Sequence, residues 1–138
     1  MTDQATGGCL CGAVKYEFPK DQVLAAHHCH CTDCQKSTGS GKATIVIVPT
    51  AAMQSSGDLK YFTVTGKDGS HVSRGFCPEC GSPIMSRVEE MAAINIIKAG
   101  SLDQSDWVQV TSSFWSDTAQ AWSPVDADLP SCAANPQS

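Results

Sequence analysis

No run of apolar residues in this 138-residue chain approaches the length that spans a bilayer. The longest candidate, Ala43 to Val48, is the size of one strand. Positive charge is also scarce: nine Lys and Arg against fourteen Asp and Glu give a net charge of -5. The basic face that a nucleic-acid binder needs is therefore not expected. Met1 to Gly8 contains no basic stretch followed by an apolar one, so no secretory leader is expected there, and a cytoplasmic location is. Sustained helical periodicity, internal repeats and low-complexity blocks are missing. So are a Ser-His-Asp spacing and a glycine-rich phosphate loop, since Gly39-Ser-Gly41 is too short for one. Hydrophobic residues make up 41% of the chain. The core this predicts is modest, and such cores are commonly supplemented by a metal or a cross-link.

What is present reads as strands. Val14, Tyr16 and Phe18 alternate with Lys15 and Glu17 until Pro19 stops them. Val23 to His28 is a second short apolar run. Ala43 to Val48 is β-branched and ends at Pro49. Leu59 to Thr65 and Ser70 to Phe76 flank Gly66, Asp68 and Gly69, a hairpin signal. Ile84 to Val88, Ala92 to Ala99 and Val108 to Phe114 complete the set, and Thr32 to Thr38 has room for one or two helical turns. The expectation is one all-β, coil-rich domain over 1–138 built of short antiparallel strands, with its core at about 7–130. Met1 to Gly7 reads as a loose terminus, and 131–138 as an irregular tail.

Eight cysteines are the dominant feature. In a chain without an export signal they point to metal ligands or catalytic thiols rather than a disulfide framework. Seven fall into three clusters: Cys9 and Cys11; Cys29, Cys31 and Cys34; Cys77 and Cys80. The two-residue gap before Cys80 is a zinc-knuckle spacing, with Gly81 free to relieve the backbone. Cys9 and Cys11 are poorly placed for a disulfide but can reach one metal if the chain bends at Leu10. Two pairs make four ligands, so Cys9, Cys11, Cys77 and Cys80 form a complete tetrahedral set. Cys29, Cys31 and Cys34 supply three ligands and leave a fourth position exchangeable, the pattern of a catalytic zinc. A different partition, an iron–sulfur cluster, a thiol-exchange pair and plain buried cysteines remain open on spacing alone.

Outside the clusters, Cys132 reads as a free surface thiol, with a fourth-ligand role for the triple as the alternative. His30, between two ligands, is expected to point away or to support them. His27 and His28 are weaker candidates for ligation, and His71 reads as a surface residue.

Charge decides what a three-thiolate zinc can do. Its formal charge near -1 makes it a weak Lewis acid, so hydrolysis fits poorly. A soft site favours a soft fourth ligand such as a thiol, held as a nucleophile. The chemistry expected is making or breaking a carbon–sulfur bond. A function of another class, a non-catalytic zinc-binding interaction module, stands as the alternative.

The same residues resemble the glutathione-dependent formaldehyde-activating enzyme family, which includes the centromere protein V relatives. The matching stretches are Gly8-Cys-Leu-Cys-Gly12 with Val14 and Tyr16; Cys29-His-Cys-Thr-Asp-Cys34 with Ser37-Thr-Gly39; and Arg74-Gly-Phe-Cys-Pro-Glu-Cys-Gly-Ser-Pro83. Ala99-Gly-Ser-Leu-Asp103 and the segment from Trp122 to Pro130 follow. The resemblance implies a β-rich fold with a structural zinc on Cys9, Cys11, Cys77 and Cys80. It implies a second, labile zinc at the catalytic Cys29, Cys31 and Cys34, where glutathione sulfur adds to formaldehyde, giving S-hydroxymethylglutathione. That is the activity of a carbon–sulfur lyase whose partner is a small-molecule thiol. Where members commonly carry Arg after the third cysteine, this chain has Gln35, followed by Lys36. Lys36, Lys42, Arg74 and Arg87 are the cations available for the carboxylates of such a thiol.

Overall fold

A computed structural model of the chain describes residues 3–135. Among them are ten strands: β1 (Gln4–Gly8), β2 (Lys15–Pro19), β3 (Ala25–Cys29), β4 (Ala43–Pro49), β5 (Gln54–Ser56), β6 (Lys60–Thr65), β7 (His71–Phe76), β8 (Pro83–Val88), β9 (Ile94–Lys98) and β10 (Ser112–Phe114). One α-helix, α1 (Thr32–Thr38), is joined by short 3-10 turns. Strand dominates and helix is minor, so the all-β expectation holds. No helix among the described residues is long and apolar enough to cross a membrane.

Two sheets form. The smaller has the order β1-β2-β5, and the larger runs β10-β3-β4-β9-β8-β7-β6. Alternation decides which side chains meet between them. Ala5, Tyr16 and Phe18 of the small sheet are buried with Ala26, Val46, Val48, Met85 and Ile97 of the large one. Tyr16 and Phe18 stack with ring centroids 6.2 Å apart. The other face of the large sheet carries Cys29, Ala43 and Ile45, buried with Cys34 of α1 as a separate cluster.

Three expectations are corrected. The N-terminal segment is not loose where it is described: Gln4–Gly8 pairs antiparallel with β2 over its full length. Its glycines serve close approach, because a Cβ on Gly7 would lie 2.3 Å from the Tyr16 hydroxyl. The strands are also not all antiparallel, since β10 lies parallel to β3, with Ser112 opposite His27 and Phe114 opposite Cys29. The last predicted strand shrinks from Val108–Phe114 to Ser112–Phe114, because Val108 closes a turn onto the Ser105 carbonyl. The polar three-residue β5 carries no apolar alternation and exists through its pairing with β2. The tail is irregular but tethered: the Cys132 amide donates to the Ser113 carbonyl at 2.9 Å. Met1, Thr2 and 136–138 lie outside the described residues.

Candidate metal and thiol site

The first sulfur cluster is built by two turns. After β1 the chain folds back at Gly12, whose φ of 82° only glycine adopts freely, and the Gly12 amide donates to the Cys9 carbonyl. After β7 the Cys77 turn closes through Gly81, φ 77°, whose amide donates to the Cys77 carbonyl at 2.8 Å. The sulfurs of Cys9, Cys11, Cys77 and Cys80 then all lie within 4.8 Å of one another. Cys9 and Cys11 are 3.6 Å apart, and Cys11 and Cys77 3.7 Å. A tetrahedron with Zn–S bonds of about 2.3 Å has edges of about 3.8 Å, so the set fits a zinc ion.

Hydrogen bonds are aimed at these sulfurs. The Val14 amide points at Cys9 Sγ (3.2 Å) and the Glu79 amide at Cys77 Sγ (3.4 Å). The Ser82 hydroxyl, 3.2 Å from Cys80 Sγ, leads the effects that pull that thiol down to about 5. Cys77 is fully buried in the main core, and Cys9 and Cys80 pack against it. The cluster ties the end of the small sheet to the β7–β8 turn of the large one.

The second cluster lies on the opposite face of the large sheet. Cys29 ends β3, Cys31 caps α1 by accepting the Cys34 amide at 3.2 Å, and Cys34 sits one turn in. Their three sulfurs also lie within 4.8 Å of one another. Cys29 and Cys34 are buried and Cys31 is partly exposed, so access is from the Cys31 side. Ile96, Phe114 and Trp115 pack against the group.

Two cations face these sulfurs. Arg74 Nη2 is 4.0 Å from Cys34 Sγ. Lys98, 8% exposed, lies in β9 opposite Ile45; burial pushes its ammonium down, against the pull of the Cys34, Cys29 and Cys31 sulfurs that favours its charged form. The Cys29 and Cys31 thiols, then the Lys98 and Arg74 charges, hold Cys34 well below the ordinary thiol range against the opposing effect of burial. Hydrogen bonding with Cys31 and Cys34, together with burial, pushes the Cys29 thiol up.

The other candidates separate clearly. Arg87 stacks over Tyr61 at 5.8 Å and lines a cleft of about 240 Å³ with Tyr16 and Met85, on the core side of the sheet. Lys42 is near His28 and His30, and Lys36 is in the last turn of α1. Gln35 donates its amide to the His30 and Thr118 carbonyls. His27 and His28 sit beside Ser112 Oγ (2.7 Å) and Thr44 Oγ1 (2.8 Å). His30 is fully buried with neither ring nitrogen hydrogen-bonded. His71 is exposed, next to Glu89 and Glu90. Cys132 is partly buried and belongs to neither sulfur group. Lys98 escaped the sequence reading, although a lone Lys within Ile94–Ala99 was its signal.

Comparison with known proteins adds three findings. Residues 4–118 match the model of a family described as glutathione-dependent formaldehyde-activating enzyme. Two curated relatives carry the name "putative glutathione-dependent formaldehyde-activating enzyme". One, from Emericella nidulans, is 30% identical over 59% of this chain and 41% of its own length; the other, from Penicillium rubens, is 23% identical over 72% and 53%. The matches thus span about half the length of those relatives. A crystal structure of a Rhodobacter sphaeroides protein shares the fold, with a TM-score of 0.57 at 20% identity, covering 76% of this chain and 96% of that one.

Proposed function

The chain belongs to the glutathione-dependent formaldehyde-activating enzyme family, and on that premise we propose that it is a carbon–sulfur lyase joining a thiol to a small aldehyde at Cys29, Cys31 and Cys34. Glutathione or a similar thiol and formaldehyde or a related aldehyde are the substrates, as in S-(hydroxymethyl)glutathione synthase. In this reading zinc is held twice, structurally by Cys9, Cys11, Cys77 and Cys80 and catalytically by Cys29, Cys31 and Cys34. The observation that carries the proposal is three converging sulfurs, one of them partly exposed, with Arg74 and Lys98 on the same face.

Zinc at the three-cysteine set supplies a soft Lewis acid that favours the thiolate form of an incoming thiol. The chain's own groups do the rest. β3 and α1 fix the three sulfurs, and the partly exposed Cys31 leaves the approach open. Ile96, Phe114 and Trp115 exclude water from the packed side. Arg74 and Lys98 place positive charge where sulfur charge gathers. In the reaction the thiol sulfur bonds to the carbonyl carbon, the C=O π pair moves to oxygen, and the thiol proton ends on that oxygen. The lyase direction is the reverse. Holding the sulfur fixed adds a positioning gain to its activation. Thiols that must stay reduced fit a cytoplasmic location.

The test follows S-hydroxymethylglutathione formation above the spontaneous rate in wild type and in Cys31→Ser. Wild type is expected to show the excess and the variant to lose it. No excess with glutathione, and none with other thiols, would replace this reading with the zinc-binding interaction module.

A further inference from the structure

Lys98 is unusual for a cation so far removed from water, and Arg74 beside it is half-buried. Buried charges are normally paired. Among the described residues the ion pairs involve only His71 with Glu89 and Glu90, so neither cation meets a carboxylate. Arg74 Nε is buried without a hydrogen-bond partner. The strand register explains what they face instead. Arg74 lies opposite Ser86, and Ser86 opposite Ile96, so the three form one row across β7, β8 and β9. Ile96 packs on the sulfurs, and Lys98, two residues on, shares its face. Ser86 is 3% exposed and its hydroxyl also lacks a partner. The acidic group in reach of Arg74 is the Cys34 sulfur, 4.0 Å from Nη2, and Lys98 shares that face of the sheet with the same cluster.

We propose that Arg74 and Lys98 are positioning residues that make the three-cysteine site accept an anionic sulfur as its fourth ligand in preference to a neutral donor. The inference rests on the thiol reading above. Three thiolates and a divalent ion sum to -1. Adding Arg74 and Lys98 gives +1 with a neutral fourth ligand and zero with a thiolate. In a poorly solvated pocket the neutral total is favoured. Among the described residues no cation figures in the shifts of Cys9, Cys11 and Cys80, and amide and hydroxyl hydrogen bonds reach the Cys9, Cys77 and Cys80 sulfurs instead. Arg74 and Lys98 thus recognise the sulfur of the substrate thiol rather than its carboxylates.

Calorimetry on the zinc-loaded chain separates the two roles. The probes are glutathione, mercaptoethanol, which has no carboxylate, and imidazole, a neutral fourth ligand. Arg74→Gln and Lys98→Met are each expected to weaken both thiols by about tenfold or more, the scale of a partly desolvated charge interaction, while imidazole binding holds. Arg74→Lys and Lys98→Arg, which keep the charge, are expected to retain most of the thiol affinity. A loss confined to glutathione would overturn the proposal in favour of carboxylate binding. An equal loss for all three probes would overturn it in favour of a merely structural role. Thiols that bind wild type and the neutral variants alike would overturn this inference alone, and thiols that bind neither would also sink the reading it rests on. Should Lys98→Met fail to fold, the half-buried Arg74→Gln decides.

Discussion

The two sulfur clusters offer the same donor atom in different settings. Cys9, Cys11, Cys77 and Cys80 come from two turns far apart in sequence, and the contact from Cys11 to Cys77 bridges 66 positions. Cys29, Cys31 and Cys34 come from a strand end and the helix that follows it. The first group is complete, knitted to the main core, and supplied with N–H and O–H donors. The second is one ligand short, lies on the outer face of the large sheet, and is supplied with cations. On the proposed reading, four sulfurs attached to the core suit a structural metal, and three sulfurs beside cations suit a reactive one.

Substitution at one ligand of each cluster gives the largest contrast. Cys77→Ser is expected to cost several kcal/mol, since a structural metal's binding energy is folding energy. A drop in Tm of about 10 °C or more would follow, or failure to fold. Cys34→Ser should melt within a few degrees of wild type while losing the second metal. Equal melting temperatures for the two variants would erase the distinction.

Chelation probes the same contrast without mutation. Of the two metals proposed, the one at Cys29, Cys31 and Cys34 should leave first under a stepwise chelator titration followed by metal analysis, because the chain offers it only three sulfurs. Its thiols then become free to oxidise, Cys34 with Cys29 or Cys31. Simultaneous loss of both metals would contradict the assignment.

Smaller effects should stay on their own side of the molecule. Gly7→Ala drives a methyl into the Tyr16 hydroxyl and the Ser101 carbonyl, and should cost about 1–3 kcal/mol in chemical denaturation. It leaves thiol binding at the other face unchanged. Asn135→Ala removes the bridge from Trp115 Nε1 (2.7 Å) to Asp68 (3.0 Å), which steadies an indole packed on the second cluster. About 1 kcal/mol or less is expected in stability, with any functional change confined to thiol binding. A larger thiol effect from Gly7→Ala than from Asn135→Ala would show that the faces are coupled.

The sulfur clusters were legible because ligand spacing is local: each knuckle or triple fits within six residues. The pairing of two distant knuckles followed from counting to four. Strands such as Ala43–Pro49 announced themselves by β-branched residues and a closing proline, and the β6–β7 hairpin by its glycines. Segments defined by a partner were not legible. Gln4–Gly8 reads as flexible because its glycines, needed for Tyr16, look the same as glycines in a loose end. β5 is polar throughout, and β10 lies parallel to β3 only because a long connection brings it round. Arg74 was among four candidate cations, but its contact with Cys34 spans 40 positions that no local pattern encodes.

Ligand spacing along the chain also sets an order of events during synthesis. The triple is complete once Cys34 has left the ribosome, whereas the four-sulfur set waits for Cys80. At about 5–20 residues per second, the 46 further residues up to Cys80 take a few seconds. A nascent chain therefore offers its three-sulfur set to the cell's metal pool before its four-sulfur set exists. On the proposed assignment, the metal captured first would be the one held less firmly, and only the later capture would lock the two sheets together.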